Sequence, residues 1–343
     1  MAEASGEVKF GLIGCGAWGS HHARAIAKAG RLCAVAERSA EGRASARAEH
    51  PGAAMYEDYR EMLEREELEV VDIVLPPHLH YGGARAALEA GCHVLLEKPM
   101  CLELGQCDEL ISLARARGLT LAIGHEFRLS SLWGRVKEMI DGGAIGEPRY
   151  CLIELWRNPY RKGAGGWRYD IKRVGNWILE EPIHFFDLAR WYFAGVGEPG
   201  SVFALASHMR DDHPELQDNF TAMITFPNGG YAVVGQTLAG YEHHQVVKLT
   251  GTRGALWAGW SGAMDRTLHP TFSLKHFDGE KVQEVSIQKR SGEVYELEEQ
   301  LKNMAEVARG GGLRCATGED GRWAVALCAK AQESVDAGAP VRF

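Results

Sequence analysis

The first 125 residues alternate between two hydrophobic periods. Short runs of aliphatic and β-branched residues occur at 8–13, 32–36, 70–75, 94–96 and 119–123, and alanine-rich stretches with helical spacing lie between them. Strands that alternate with helices predict βαβ units and a parallel sheet. The pattern therefore predicts a doubly wound parallel sheet for residues 1–125.

The pattern changes after Gly124. Helical spacing returns at 131–143 and around 182–193, and short alternating strands then follow one another, with "PNGG" at 227–230 as a hairpin turn. Strands in succession favour a mostly antiparallel sheet. Two helices, near 297–308 and 321–333, close the chain. We expect an α/β protein with domains at 1–125 and 126–343, in which the last helices can pack back on the first domain.

Composition narrows the functional classes. The chain has 343 residues, of which 45% are hydrophobic and 24% charged, and its net charge is -8. It lacks the basic surface that nucleic-acid phosphates require and any apolar run long enough to span a membrane, so neither is an expected partner. The eight cysteines are scattered without a C-x-x-C pair. We expect reduced thiols in a cytoplasmic protein.

A glycine-rich stretch, "GLIGCGAWGS", joins the first predicted strand to a helix. Gly14 permits a tight turn, Gly16 lets a pyrophosphate approach the backbone, and Gly19 lets the helix pack closely on the strand. Ala17 and Trp18 complete the turn. All five are predicted cofactor-binding residues; the alternative is a flexible turn without a ligand.

An acidic residue follows the second predicted strand. Glu37 lies at the spacing at which a carboxylate accepts hydrogen bonds from a ribose diol, and it would repel a 2′-phosphate. NAD is therefore the expected cofactor. Arg38 keeps NADP open, since a guanidinium can pair with that phosphate.

Two further strands end in residues suited to a ligand edge. The strand at 94–96 ends in Glu97-Lys98-Pro99, and the strand at 70–75 ends before two prolines. Ligands of doubly wound sheets bind beyond the carboxyl ends of the strands. The alternative is a strand that simply stops at the surface. The predicted cofactor contacts at these ends are Leu75, Pro76, His80, Glu97 and Lys98.

These motifs resemble the Gfo/Idh/MocA family of glucose–fructose oxidoreductase and inositol dehydrogenase relatives. The likeness lies in the glycine motif, "LPPHLH", Glu97-Lys98-Pro99, "GHEFRLSSLWGRVKEMIDGGAIGEP" and "HFFDLARWY". It implies an N-terminal Rossmann domain and a C-terminal α/β domain with a large open, mostly antiparallel sheet. It also implies bound NAD(H) or NADP(H), a sugar, cyclitol or polyol substrate, a cis Lys98–Pro99 bond and assembly into a homodimer or homotetramer.

The resemblance also indicates a second catalytic element. Family members usually carry Asp-x-x-x-His, and here Glu180 and His184 take those positions. His184 is the predicted general base, because an imidazole accepts a proton near neutral pH, and Lys98 is predicted to stabilise the substrate oxygen. On one helix, positions 180, 184 and 187 share a face, but Pro182 can place Glu180 just outside it. The alternative for His184 is a core histidine bonded to Asp187.

A segment from residue 157 to 175 is rich in cations and aromatic side chains, which suit a carboxylate, a phosphate or a sugar ring. An acidic or glycosidic substrate is one hypothesis; a solvated arm or a contact with a neighbouring subunit is the other. His125 and Arg128 match a family stretch that borders cofactor and substrate. The predicted substrate-binding residues are Lys98, His125, Arg128, Arg161, Trp167, Arg168, Glu180, Glu181 and His184.

Two pairs of adjacent histidines, His21-His22 and His243-His244, lack the spacing of metal ligands, so no metal is expected. The leading interpretation is an NAD-dependent dehydrogenase of a sugar, sugar acid or cyclitol. A second is NAD-dependent glycoside cleavage by transient oxidation and elimination. A third is a non-catalytic NAD(P)-binding sensor on the same fold.

Overall fold

The computed structural model describes residues 6–157, 163–209, 211–213 and 215–343. The described chain divides into two compact units. The first holds the residues up to Glu126 together with Leu297–Arg322, and the second holds Phe127–Glu296 together with Trp323–Phe343.

The first 126 residues alternate strands and helices. The strands are β1 (Lys9–Ile13), β2 (Arg31–Ala36), β3 (Ala54–Tyr56), β4 (Val70–Ile73), β5 (His93–Leu96) and β6 (Leu121–Ile123). The helices are α1 (Gly19–Ala29), α2 (Ala40–Glu49), α3 (Tyr59–Arg65), α4 (His80–Glu89) and α5 (Leu104–Arg117).

The following segment contains more strands than helices. Its helices are α6 (Trp133–Asp141), α7 (Ile171–Val174), α8 (Trp177–Glu180) and α9 (Ile183–Tyr192). Its strands are β7 (Pro148–Arg157), β8 (Ser201–Ser207), β9 (Asn219–Thr225), β10 (Tyr231–Thr237), β11 (His243–Gly251), β12 (Ala255–Gly262), β13 (Thr271–Phe277) and β14 (Val282–Glu284). The chain closes with α10 (Glu293–Ala308), β15 (Ala316–Thr317), α11 (Gly318–Ala337) and β16 (Val341–Arg342).

The first sheet is the predicted parallel one. Within the described residues its strand order is β15-β6-β5-β4-β1-β2-β3. Strands β1 to β6 run parallel, and β15 joins β6 antiparallel. All of β4 is buried, as expected for a sheet covered on both faces. One position of β4, Asp72, is charged, although the strand is otherwise apolar.

The second sheet is mostly antiparallel, as predicted. Its order among the described residues is β14-β13-β12-β11-β7-β10-β9-β8-β16, and only β7 and β10 pair parallel. The "PNGG" segment forms the β9–β10 hairpin, in which Gly229 adopts a φ of 76° that suits glycine. Buried and half-exposed residues alternate along β7, so one face of this sheet packs on a core and the other is open.

A break in the helix around residue 181 decides between the two positions that the sequence left open for Glu180. Helix α8 ends at Glu180, and Pro182 is the N-cap of α9. Glu180 and His184 therefore lie on different helices, because proline lacks the N–H that a continuous helix would need at that position. The four-residue spacing does not place their side chains on one face.

No helix within the described ranges is both long and apolar enough to cross a lipid bilayer. The eight cysteines all lie in these ranges and are thiols rather than disulfides, as the sequence predicted.

Candidate functional site

The glycine-rich turn joins β1 to α1. A Cβ on Gly14 would lie 2.2 Å from the Val74 carbonyl oxygen, and one on Gly19 would lie 2.2 Å from the Gly14 carbonyl oxygen. Gly14 also has a φ of 92°. A Cβ on Gly16, by contrast, would meet nothing within 4 Å, and Gly16 and Ala17 are exposed. Two glycines are thus required by the fold, while the third opens a cradle beside a helix N-terminus, which fits a dinucleotide phosphate.

Glu37 lies beside this turn at the end of β2. Its Oε2 accepts a hydrogen bond from the backbone N–H of Cys15 at 2.8 Å, and its Oε1 accepts one from the N–H of Ser39 at 2.8 Å. The carboxylate is held where a ribose diol would be expected beside the phosphate cradle. Arg38, the next residue, is exposed.

His80 differs from the expectation that it contacts the cofactor. Its ring is fully buried, and its two nitrogens lie 2.6 Å from the Pro99 carbonyl oxygen and 2.7 Å from that of Leu75. His80 therefore joins the loop after β4 to the loop after β5 and presents neither ring nitrogen to a ligand. Leu75 and Pro76, in contrast, are half-buried at this edge.

The loop after β5 carries Glu97 and Lys98. Between Val94 and Cys101, all of them described, Lys98 alone is not buried. The Lys98–Pro99 peptide bond is cis, as the resemblance implied. The Glu97 carboxylate accepts a hydrogen bond from Trp18 Nε1 at 3.0 Å and one from the Lys98 backbone N–H at 3.1 Å. The lysine thus lies at the same sheet edge as the glycine-rich turn. His125, which follows β6, is 1% exposed.

In the second unit, His184 is half-exposed in the first turn of the mostly buried helix α9. Its ring lies 5.2 Å from that of Phe127. Both carboxylate oxygens of Asp187 accept hydrogen bonds from Arg128, at 2.7 and 2.9 Å. Asp187 thus has Arg128 as a partner, whereas the alternative for His184 expected a bond between Asp187 and the imidazole. Arg128 itself is a buried ion-pair partner in this structure, and its guanidinium lies over Trp191.

The acidic residues before α9 are engaged with arginines. Glu180, 2% exposed, lies 3.0 Å from Arg168, whose guanidinium also lies over Trp167. Glu181 accepts a hydrogen bond from the buried Arg157, which also contacts Asp265 at 3.1 Å. Burial would lower the pKa of Arg157, but these carboxylates outweigh burial and raise it.

The remaining described aromatic residues of the 157–175 segment and the adjacent Trp177 differ in burial. Trp177 is 3% exposed and packs with Leu216 and Leu238, and Tyr169 packs against this cluster. Trp167 is half-buried. The predicted substrate residue Arg161 lies outside the described residues, as do Tyr160 and Lys162. Among the described residues, no group of three or more His, Cys, Asp or Glu side chains is arranged to hold a metal ion.

Sequence reasoning missed one buried cluster. His22 Nδ1 lies 2.7 Å from Asp72 Oδ2, and His22 Nε2 lies 3.2 Å from Glu97 Oε1. The available signal was Asp72 itself, a charged residue inside the apolar run "VVDIVL". A buried carboxylate requires a partner, and His22 supplies one three residues after Gly19.

A parallel sheet with a glycine-rich turn, an acidic residue after β2 and a half-buried lysine at one edge is the arrangement expected of a dinucleotide-dependent oxidoreductase. The profile of the oxidoreductase family with an NAD-binding Rossmann fold matches residues 8–125, and that of the GFO/IDH/MocA C-terminal domain matches residues 133–257. The chain belongs to the Gfo/Idh/MocA family of oxidoreductases.

Similar proteins cover most of the chain. Over 240 residues it is 44% identical to dTDP-3,4-didehydro-2,6-dideoxy-alpha-D-glucose 3-reductase of Streptomyces violaceoruber, covering 69% of this chain and 66% of the relative. It is 27% identical to the uncharacterized oxidoreductase YrbE of Bacillus subtilis (strain 168), over 98% of this chain and 96% of the relative. The aldose-aldose oxidoreductase of Caulobacter crescentus shares the fold, with a TM-score of 0.84 at 19% identity, covering 98% of this chain and 100% of that one.

Proposed function

We propose that the protein is an NAD-dependent dehydrogenase that oxidises a ring hydroxyl of a sugar or cyclitol. The observation that carries the proposal is the position of Lys98, half-buried after β5 at the same sheet edge as the glycine-rich turn after β1. A cation at the ligand edge of a parallel sheet is placed to serve a substrate oxygen. The relative from Streptomyces violaceoruber acts, by its name, on a dTDP-linked sugar, which supports a sugar as the substrate class.

In this proposal each chain residue has one role. His184 takes the proton of the substrate hydroxyl, since imidazole titrates near neutral pH. The Lys98 ammonium stabilises negative charge as it develops on that oxygen. Bound NAD supplies the acceptor for the hydride. Glu180 is left out of the proton transfer, because its ion pair with Arg168 makes it an anchor for the 3₁₀ segment Ala164–Tyr169.

The proposed cofactor is NAD rather than NADP. The fixed Glu37 carboxylate accepts hydrogen bonds from two backbone N–H groups, and a 2′-phosphate placed against it would be repelled. The exposed Arg38 is the residue that could offset this repulsion. Comparison of kcat/KM with the two dinucleotides tests this preference.

Charge in the second unit favours a neutral sugar ring over an acidic group. The guanidinium groups of Arg157 and Arg168, which a carboxylate or phosphate could have used, are compensated by Glu181 with Asp265 and by Glu180, respectively. Adding an anion to such a pair would displace an existing carboxylate. Arg161 and Lys162, two further cations of this segment, lie outside the described residues.

A substrate panel tests the reaction. Neutral sugars, cyclitols, sugar acids and nucleotide-linked sugars are assayed for NADH formation with the wild type, Lys98→Met and His184→Asn. We expect each variant to lower kcat/KM by about 10²- to 10⁴-fold while NAD affinity is retained. The matched control is His244→Asn. His244 is a half-buried histidine of β11 whose ring is hydrogen-bonded to the Ser261 hydroxyl, and the variant should keep wild-type kinetics.

Other outcomes would contradict the proposal in different ways. Release of an aglycone without accumulation of NADH would favour glycoside cleavage. NAD binding without turnover of any compound, unaffected by Lys98→Met, would favour a sensor.

We also propose that the open face of the second sheet pairs with a second copy of the chain. Large apolar side chains on this face are exposed, and cross-strand pairing places them on the same side of the sheet: Trp156, Leu205, Met223, Tyr231 and Trp257. An apolar patch of this kind is typical of an interface.

A further inference from the structure

Buried polar contacts link α1, β4 and the loop after β5 within the first unit. The ring of His22 lies between two carboxylates, with Nδ1 2.7 Å from Asp72 and Nε2 3.2 Å from Glu97. His22 and Asp72 are fully buried, and Glu97 is 8% exposed. None of the three belongs to the proton transfer proposed above.

The contacts of His22 favour a positively charged ring. A neutral imidazole has one N–H, whereas both ring nitrogens of His22 lie within ion-pair distance of a carboxylate oxygen, so the doubly protonated ring has a counter-charge beside each nitrogen. Burial would lower the pKa of His22, but Asp72 and Glu97 outweigh it and raise that pKa to about 9. Burial likewise raises the pKa of Glu97, but His22, Trp18 and the charge of Lys98 outweigh burial and lower it to about 2.

Glu97 connects this cluster to the residues predicted to bind cofactor and substrate. Its Oε1 faces His22 and accepts a hydrogen bond from the indole of Trp18, which belongs to the glycine-rich turn. Its Oε2 accepts the backbone N–H of Lys98. One carboxylate therefore connects the phosphate cradle, helix α1 and the peptide that carries the lysine.

We propose that His22 is a positioning residue of the oxidoreductase, whose ring orients Glu97 so that this carboxylate ties the glycine-rich turn to the backbone of Lys98. The inference rests on the proposed role of Lys98. Without the positive charge of His22, the carboxylates of Asp72 and Glu97 would lie in a buried site without their shared counter-charge. Glu97 would then turn away, and the Lys98 peptide would lose its fixed acceptor.

The charge of His22 can be tested by NMR, without a substrate. In protein labelled with ¹⁵N in its histidine side chains, the resonances lost in His22→Gln identify His22. We expect them to keep the shifts of an imidazolium up to about pH 9. A neutral His22 ring at pH 7 would overturn the inference, whatever substrate the enzyme has, and this measurement decides the matter alone if no substrate is found.

The positioning role is tested by steady-state kinetics. We expect His22→Gln to lower kcat by about 10- to 100-fold with smaller changes in both KM values, because a misplaced lysine affects the reacting geometry more than ground-state binding. His21→Gln, the neighbouring substitution on α1, should retain wild-type values. A folded His22→Gln protein with wild-type kcat would contradict the proposal.

A second variant covers the case in which His22→Gln does not fold. His22→Gln combined with Asp72→Asn removes one buried negative charge together with the positive one and is judged by the same kcat criterion. Failure of the proposed function would show separately, as unchanged turnover in Lys98→Met, and would leave the His22 spectrum as it is.

Discussion

The two sheets of this protein place their functional groups by different means. Strand β4 is buried at every position, whereas β7 alternates between buried and accessible residues. The candidate residues of the first unit lie in loops at strand ends, where backbone packs against backbone, as at Gly14 and Val74. The candidate residues of the second unit lie on or beside short helices. A Cβ added at Gly14 should therefore disrupt the first-unit loops, because it would collide with the Val74 carbonyl oxygen.

The two units also bury carboxylates differently. Glu97 in the first unit faces the His22 imidazole, and its pKa is lowered to about 2 despite burial. Glu296 in the second unit is 2% exposed and accepts hydrogen bonds from the Ser291 hydroxyl and the Gly292 N–H. Burial raises its pKa to about 7. Neutral donors thus offset the desolvation of a carboxylate less than a cation does.

The largest expected effect comes from adding one methyl group to the glycine-rich turn. Gly14→Ala should reduce the free energy of unfolding by about 3 kcal/mol or more, because its Cβ would collide with the Val74 carbonyl oxygen at a φ of 92°. Urea unfolding of the variant measures this loss. A variant of wild-type stability would show that the turn relaxes at no cost.

The matched change at Gly16 separates folding from binding in the same turn. Gly16→Ala meets nothing within 4 Å, so it should unfold like the wild type. It should still weaken NAD binding by about tenfold or more, since the methyl group would fill the cradle. Titration calorimetry measures this, and unchanged affinity would remove the phosphate-binding role of the turn.

A further effect on stability is expected from pH acting on Glu296. Its folded pKa, about 7, exceeds its ordinary value of 4.5, so the folded state retains a proton that the unfolded state releases. Stability should therefore fall as pH rises from 4.5 to 7, by an amount on the order of 3 kcal/mol, and then level off. Glu296→Gln should remove this fall, as measured by urea unfolding across the pH range.

One control variant and the pH window of His22 distinguish the Glu296 effect from other titrations. Glu280→Gln, an exposed position in the second unit, should keep the wild-type pH dependence. His22 in the first unit acts in a different window: its contribution is complete below its ordinary pKa of 6.5 and is lost as pH rises through about 9. A Glu296→Gln protein that still loses stability between pH 4.5 and 7 would contradict the assignment.

The smallest effect on folding is expected on the open face of the second sheet. Leu205, 60% exposed on β8, should tolerate Leu205→Lys with a change in unfolding free energy within about 0.5 kcal/mol. The same substitution should shift the sedimentation coefficient towards a smaller species, because it places a charge on the proposed interface. Leu268→Lys, at a 53% exposed leucine outside the strands, is the control and should leave the assembly unchanged.

The elements near the site differ in how well the sequence predicted them. The parallel sheet and the glycine-rich turn follow from local pattern, since continuous apolar runs and a strand–turn–helix spacing each specify one structure. The sequence left open whether Glu180 shares the helix of His184 or lies just outside it, and Glu180 lies outside because Pro182 is the N-cap of α9. His80 was assigned to the cofactor by proximity in sequence, whereas its ring nitrogens face the carbonyls of two loops.

By itself, the sequence determined the βαβ pattern of the first 125 residues, the alternating strands of the second sheet and the residue types at the strand ends, because all of these depend on neighbours within a few positions. Only the tertiary structure decided that β15 joins the first sheet, that Arg128 pairs with Asp187, and that His22 lies between Asp72 and Glu97. The partners in these contacts lie 50 or more residues apart, as for His22 and Asp72. The fold of the whole unit brings such a partner to a charged residue or a strand edge, and the local hydrophobic pattern does not specify which residue it is.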